Sequence, residues 1–249
     1  MIILAVETST EAESIAIVEA AAQREGEFAP AAKLLAEYTL NVTANHSGRL
    51  MPAIDHLLRE ASLSIRDVHG ISLALGPGSF TGLRIGVSTV KGLAYALKVP
   101  VVGIPTLDAL AQNARYASSL VCPVLDARKK EVYAALYRGD GSGRIVKLSE
   151  DWVLSPADLV SRIPEKTLFL GNGIPVAGKD LKERLGSQAL FASPELCVPR
   201  AANVASLSIP AFQKGSTLDL FSFIPIYVRR SEAEIHYKEK HKTQSLGKT

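Results

Sequence analysis

The chain has 249 residues, 47% of them hydrophobic, enough to bury one large core or two modest ones. A formal net charge of +3 is too slight to imply nucleic-acid binding by charge alone. Cys122 and Cys197 lack any CxxC or zinc spacing, the first apolar run ends at Glu7 with no basic stretch before it, and no run approaches the ~18 residues of a membrane span, so the sequence reads as a cytoplasmic protein with reduced thiols and no signal peptide.

Residues 2–6 (IILAV) form a continuous apolar run, as expected of a central strand buried on both faces. A polar bend, Glu7-Thr8-Ser9-Thr10, leads to a returning strand over 14–18, a loop over 19–30 and a third strand over 33–40. Residues 47–61 carry Leu50, Ile54, Leu57, Leu58 and Ala61 at helical spacing. A strand over 71–75 then runs into the glycine turn of GPGSFTGLRIG and a helix over 82–97. Gly76 and Gly78 permit positive φ there, and Ser79 or Thr81 can cap the helix. A strand over 99–104 follows, and Thr106 is the expected cap of the helix LDALAQNAR.

The pattern then restarts. Residues 121–125 (VCPVL) form an apolar strand ending in Asp126, followed by a polar bend (ARKK) and a returning strand over 131–137. A helix start at Ser155-Pro156, a strand over 167–170 and a helix over 199–211 complete it. Two halves of like plan predict an N-terminal half over 1–106, a smaller C-terminal half over 107–230 and a basic, disordered tail over 231–249. Duplicated halves, each opening with a hairpin that carries a carboxylate at its bend, are the plan of the actin-like, sugar-kinase-like ATPase fold, an α/β class.

In that fold the two bends face nucleotide phosphates. The candidate nucleotide site therefore comprises Glu7, Thr8, Ser9 and Thr10 at the first bend, Gly76, Gly78 and Ser79 at the glycine turn, and Asp126 at the second bend. Strand, tight turn and helix start in that order allow an anion or another backbone to approach closely. No Gly-Lys-Ser/Thr closes the turn, so it is not a P-loop, and ATP or ADP binding is expected to be weak at most. From Gly70 through Leu107 there is no Asp or Glu to act as general base, which argues against phosphoryl transfer. Ten residues along one helix separate His46 and His56 by about 15 Å, too far to share a metal ion. The lone Trp152 reads as a packing residue.

The motif GPGSFTGLRIG over 76–86, ILAVETST at the start, VLDARKKEVY over 124–133 and IPIYVRRSEAE near the end resemble the TsaB (YeaZ) family over nearly the whole chain. The resemblance implies a non-catalytic scaffold, with no required cofactor, in the complex that transfers threonylcarbamoyl to adenosine 37 of tRNAs reading codons that begin with adenine. It further implies a TsaD homologue as catalytic partner, a TsaE-type ATPase, tRNA contact through the complex, and a homodimer when isolated. TsaD holds its metal through a His-x-x-x-His pair; here His46 is followed four positions later by Leu50. An autonomous ATPase or small-molecule kinase is the first alternative, and a metalloprotease, implied by the older glycoprotease-like name, the second.

The same resemblance puts the partner surface on the helices over 47–61, with Arg49, and 82–97. On the second helix Gly82, Gly86 and Thr89 make one small-residue strip and Ser88, Gly92 and Ala96 another; one is expected to serve the protein's own sheet and the other a partner.

Overall fold

The computed structural model describes residues 1–21, 32–42 and 46–228. The tail over 231–249 and most of the loop expected over 19–30 lie outside the described residues.

The first sheet has the order β3-β2-β1-β4-β5, built from β1 (Ile2–Glu7), β2 (Ala12–Ala20), β3 (Ala32–Asn41), β4 (Gly70–Gly76) and β5 (Val101–Pro105). β1 and β2 are antiparallel with Glu7 opposite Ser14, and β4 lies parallel to β1. Alternation along β1 explains its continuous apolar run. Leu4 and Val6 enter the core beneath one layer of helices, while Ile3 and Ala5 enter the core on the opposite face. The first layer is α1 (Leu50–Glu60) and α2 (Phe80–Leu97); α1 buries Leu50, Ile54, Leu57 and Leu58, the spacing legible in the sequence.

The second sheet repeats this order as β10-β7-β6-β11-β12, from β6 (Leu120–Asp126), β7 (Val132–Ala134), β10 (Trp152–Leu154), β11 (Thr167–Leu170) and β12 (Ala189–Phe191). Asp126 stands opposite Val132 as Glu7 stands opposite Ser14. Hairpin, parallel strand and parallel strand in both sheets give the duplicated actin-like plan.

Several local expectations are corrected. The return over 131–137 is not one strand: β7 ends at Ala134, and β8 (Tyr137–Gly139) pairs with β6 separately and with β9 (Ile145–Lys147). Thr106 does not cap. It is the first residue of α3 (Thr106–Ala111), Pro105 occupies the cap position, and the Thr106 hydroxyl is buried without a hydrogen-bond partner among the described residues. Ser155 does cap α4 (Pro156–Ser161), accepting from the Asp158 N–H. A helix that the sequence reading passed over, α5 (Ile174–Leu185), opens with Pro175 and packs Ala177 and Leu181 with Phe169. Trp152 packs in that same core, with Arg162 over its ring.

The chain after residue 200 returns to the first sheet. Ala201, Val204, Ala205 and Ile209 of α6 (Ala201–Gln213) pack on Ile3, Ala5, Ala16 and Ala74, so the last predicted helix covers a face of β1, β2 and β4. Beyond it, Leu218 N–H donates to Val101 O and Ile226 N–H donates to Leu75 O. These bonds lay residues 218–228 as a strap beside α2.

Candidate functional site

The first bend does not face open space. Glu7 is fully buried and accepts the Ser9 N–H on Oε1 at 2.6 Å. Thr8, 2% exposed, donates its hydroxyl to Gly82 O at 2.8 Å, and Thr10 accepts the Ala12 N–H. At the start of α2, the Ser79 N–H donates to Ser9 O at 2.6 Å. Of the two visitors a glycine-rich helix start allows, an anion or a backbone, the structure admits the chain's own backbone.

The glycines are what make this docking fit. A Cβ on Gly78 would come within 2.2 Å of Ser9 O, one on Gly82 within 2.1 Å of Thr8 O, and one on Gly86 within 2.4 Å of the Thr8 hydroxyl. Spaced four apart, these glycines form a groove along one face of the turn and helix into which the bend is pressed. Gly76 differs: its φ of 114° lies where side chains are disfavoured. Gly78 was expected to supply positive φ as well and does not; close approach is its reason. Ser79 caps α2 as expected, accepting the Gly82 N–H at 3.3 Å.

Of the two strips expected on α2, the one with Gly82 and Gly86 is therefore turned to the chain's own fold, both glycines being buried against Thr8. Thr89 is half-buried. Ser88, Gly92 and Ala96 form the outward strip, and a Cβ on Gly92 would meet nothing within 4 Å among the described residues. Arg49 is exposed at the start of α1. Beside the outward strip lie Tyr95, 67% exposed, and Phe221 of the strap, with ring centroids 6.3 Å apart.

The second bend is open. Asp126 accepts the Arg128 N–H on Oδ1 at 2.7 Å and pairs with the Arg128 guanidinium at 3.3 Å, while its own N–H donates to Asn172 Oδ1. Arg128, Lys129 and Lys130 all have positive φ, at 62°, 54° and 62°. Left-handed backbone costs a side-chain-bearing residue about 1–2 kcal/mol. All three side chains are exposed, beside a hollow of about 700 Å³ also lined by Ser155 and Asp180. Arg128 reaches Glu11 across the two halves at 3.8 Å. A smaller hollow of about 370 Å³ lies between the halves, where Thr10, Glu11 and Asn41 face Asn172, Phe191 and Cys197.

Among the described residues the histidines do not converge. His56 is exposed, and His69 accepts the Ile2 N–H on Nδ1 at 3.2 Å. Among the described residues, no group of three or more His, Cys, Asp or Glu side chains is placed to hold a metal ion. Cys122 is fully buried, and burial pushes its thiol up. No helix of the described residues is long and apolar enough to cross a membrane.

Sequence reasoning missed Glu11, Arg128 and the strap. The strap's signal was present in IPIY, a block with no place assigned to it. Tyr227 meets Phe80 and Arg84, both within the glycine motif.

Three comparisons bear on this arrangement. A profile of the family described as "TsaD: tRNA N6-adenosine threonylcarbamoyltransferase" matches residues 33–237. The tRNA threonylcarbamoyladenosine biosynthesis protein TsaB of Bacillus subtilis is 32% identical over 245 residues, covering 97% of this chain and 100% of the relative. The protein of the same name from Escherichia coli is 29% identical, covering 94% and 96%. Among solved structures, YeaZ from Pseudomonas aeruginosa superposes with a TM-score of 0.72 at 31% identity, covering 91% of this chain and 99% of that one.

Proposed function

The chain belongs to the TsaB family of tRNA threonylcarbamoyladenosine biosynthesis proteins, and on that premise we propose that it is a non-catalytic subunit of the complex that transfers threonylcarbamoyl to adenosine 37 of tRNA. The observation that carries this reading is the burial of the first bend. Glu7, Thr8, Ser9 and Thr10 are between 0% and 5% exposed and engaged with one another or with α2. A kinase or ATPase of this fold uses that bend to meet phosphates, so a bend turned inward supports scaffolding over turnover. Nucleotide binding is accordingly weak and confined to the hollow between the halves.

The partner surface is the outward face of α1 and α2. An exposed glycine inside a helix costs about 1 kcal/mol relative to alanine, and Gly92 has no contact among the described residues that explains it. A helix from a TsaD homologue, or from a second copy in its absence, packs closely there. A TsaE-type ATPase joins the assembly, and the work is done in the cytoplasm, where tRNA is found.

Reconstitution tests the reading. The purified chain, given threonylcarbamoyl-adenylate and unmodified tRNA, leaves the tRNA unmodified until a TsaD homologue and the ATPase are added. Modification by the chain alone overturns it, as does full modification by the partners without it.

A further inference from the structure

The strap is tied down along its length and still turns apolar side chains outward. Lys91 Nζ donates to Phe221 O at 3.1 Å and lies over the Phe223 ring, and the Ile226 N–H donates to Leu75 O. Phe223 and Pro225 are buried, but Phe221, Ile224 and Ile226 are 78%, 67% and 37% exposed. Tyr95 and Phe80 of α2, 67% and 40% exposed, add two rings to this face. An apolar concentration of this kind marks an interaction surface. Between the end of α2 and the strap it opens into a hollow of about 520 Å³, walled by Tyr95, Val99, Leu220 and Phe221, with the exposed Lys98 as its charged lining residue.

We infer that this hollow and the outward side of the strap receive a helix of the catalytic partner, one that offers an apolar side chain flanked by a carboxylate; the inference rests on the function proposed above. Charge decides among the occupants. α2 contains no Asp or Glu, and its end turns Arg84 and Lys98 to the solvent. The carboxylate of the strap, Asp219, is engaged within the strap, accepting the Phe221 N–H and the Ser222 hydroxyl. A second copy would lay the same acid-free helix against these cations. Residues 229–249 carry six Lys or Arg against three Glu, so net charge opposes the chain's own tail as well. A partner helix bearing carboxylates meets complementary charge instead. Ala96 lines the hollow and also belongs to the outward strip of α2, so a helix laid along that strip reaches the hollow without a change of direction.

The test compares the full wild-type chain with Phe221→Ala/Ile224→Ala, Lys98→Gln and Lys98→Glu. Calorimetry reads affinity for a TsaD homologue at low and high salt, sedimentation reads self-association, and thermal melts read stability. The alanine pair should weaken partner binding by at least about tenfold while the melting temperature and self-association stay put, because both side chains are exposed. Lys98→Glu should weaken partner binding by about tenfold at low salt and by less at high salt, with Lys98→Gln between it and the wild type. Unchanged partner affinity in every variant, with a wild-type complex that still modifies tRNA, overturns the inference and leaves the proposed function standing. Self-association lost with partner affinity intact assigns the hollow to a second copy. A melting temperature lowered by several degrees in the alanine pair assigns it to the chain itself. Either result overturns the inference. A wild-type chain that neither binds the TsaD homologue nor supports tRNA modification removes the proposed function, and the inference falls with it.

Discussion

Arg84 Nε donates to the Tyr227 hydroxyl at 3.2 Å, joining residues 143 positions apart. The same guanidinium lies over the Phe80 ring, which in turn meets the Tyr227 ring at 5.3 Å. Two sequence blocks that carry the family resemblance are thus parts of one structure: the strap is clasped to the start of α2. Gly76 belongs to the clasp too, since a Cβ there would come within 2.7 Å of Ile226 O.

Tyr227→Ala should destabilise the chain by about 1–2 kcal/mol through loss of the ring contacts, whereas Tyr227→Phe should cost less than about 1 kcal/mol, because the hydrogen bond it removes is exposed. Urea denaturation of both variants checks the order. A Tyr227→Phe effect as large as that of Tyr227→Ala would show that the hydroxyl, and not the ring, holds the strap.

The glycines of α2 should divide by what lies above them. Gly82→Ala drives a methyl toward backbone at Thr8 O and should cost about 1–3 kcal/mol. Gly92→Ala meets open space and should stabilise by about 0.5–1 kcal/mol. Thermal melts of the two variants should move in opposite directions.

Gly92→Leu should keep its circular dichroism spectrum yet lose self-association and TsaD binding, because it obstructs close approach without a clash inside the chain. Light scattering of the isolated variant and co-purification with a TsaD homologue read the result. Intact assembly would move the interface off this face of α2.

Asp108 accepts from both the buried Tyr137 hydroxyl, at 2.6 Å, and the Lys147 ammonium, at 2.8 Å. Asp108→Ala leaves that phenol without its acceptor and should cost about 2–3 kcal/mol. Adding Tyr137→Phe should recover part of the loss, since no buried donor then lacks a partner. Chemical denaturation of the single and double variants measures the coupling.

Calorimetry should find no tight ATP site. A Kd below about 1 μM, or roughly −8 kcal/mol, would need phosphate contacts that the buried first bend does not offer.

The sequence declared its fold because both hairpins and three of the four parallel strands beside them are local apolar runs with polar ends; only β12 went unread. IILAV and VCPVL each place alternate side chains in opposite cores, and the carboxylate follows at once. The state of the first bend was less legible. Thr8-Ser9-Thr10 has the same composition whether it faces a phosphate or a helix, and only the register of α2 against it decides. Four-residue glycine spacing was visible, but the choice between the strip at Gly82 and Gly86 and the strip at Gly92 depends on which side of α2 meets β1. The strap was invisible for a related reason: its partners lie more than a hundred residues upstream, beyond any local pattern.

A seat filled from within is filled at every nucleotide concentration. In proteins whose phosphate bend is ordered by ligand, rigidity rises and falls by mass action with the supply of ATP. Here the Ser9 carbonyl, part of the chain itself, occupies the helix start, so the contact that orders this bend is made without a ligand. The face that α2 turns outward inherits that constancy. Its shape is set when the chain folds.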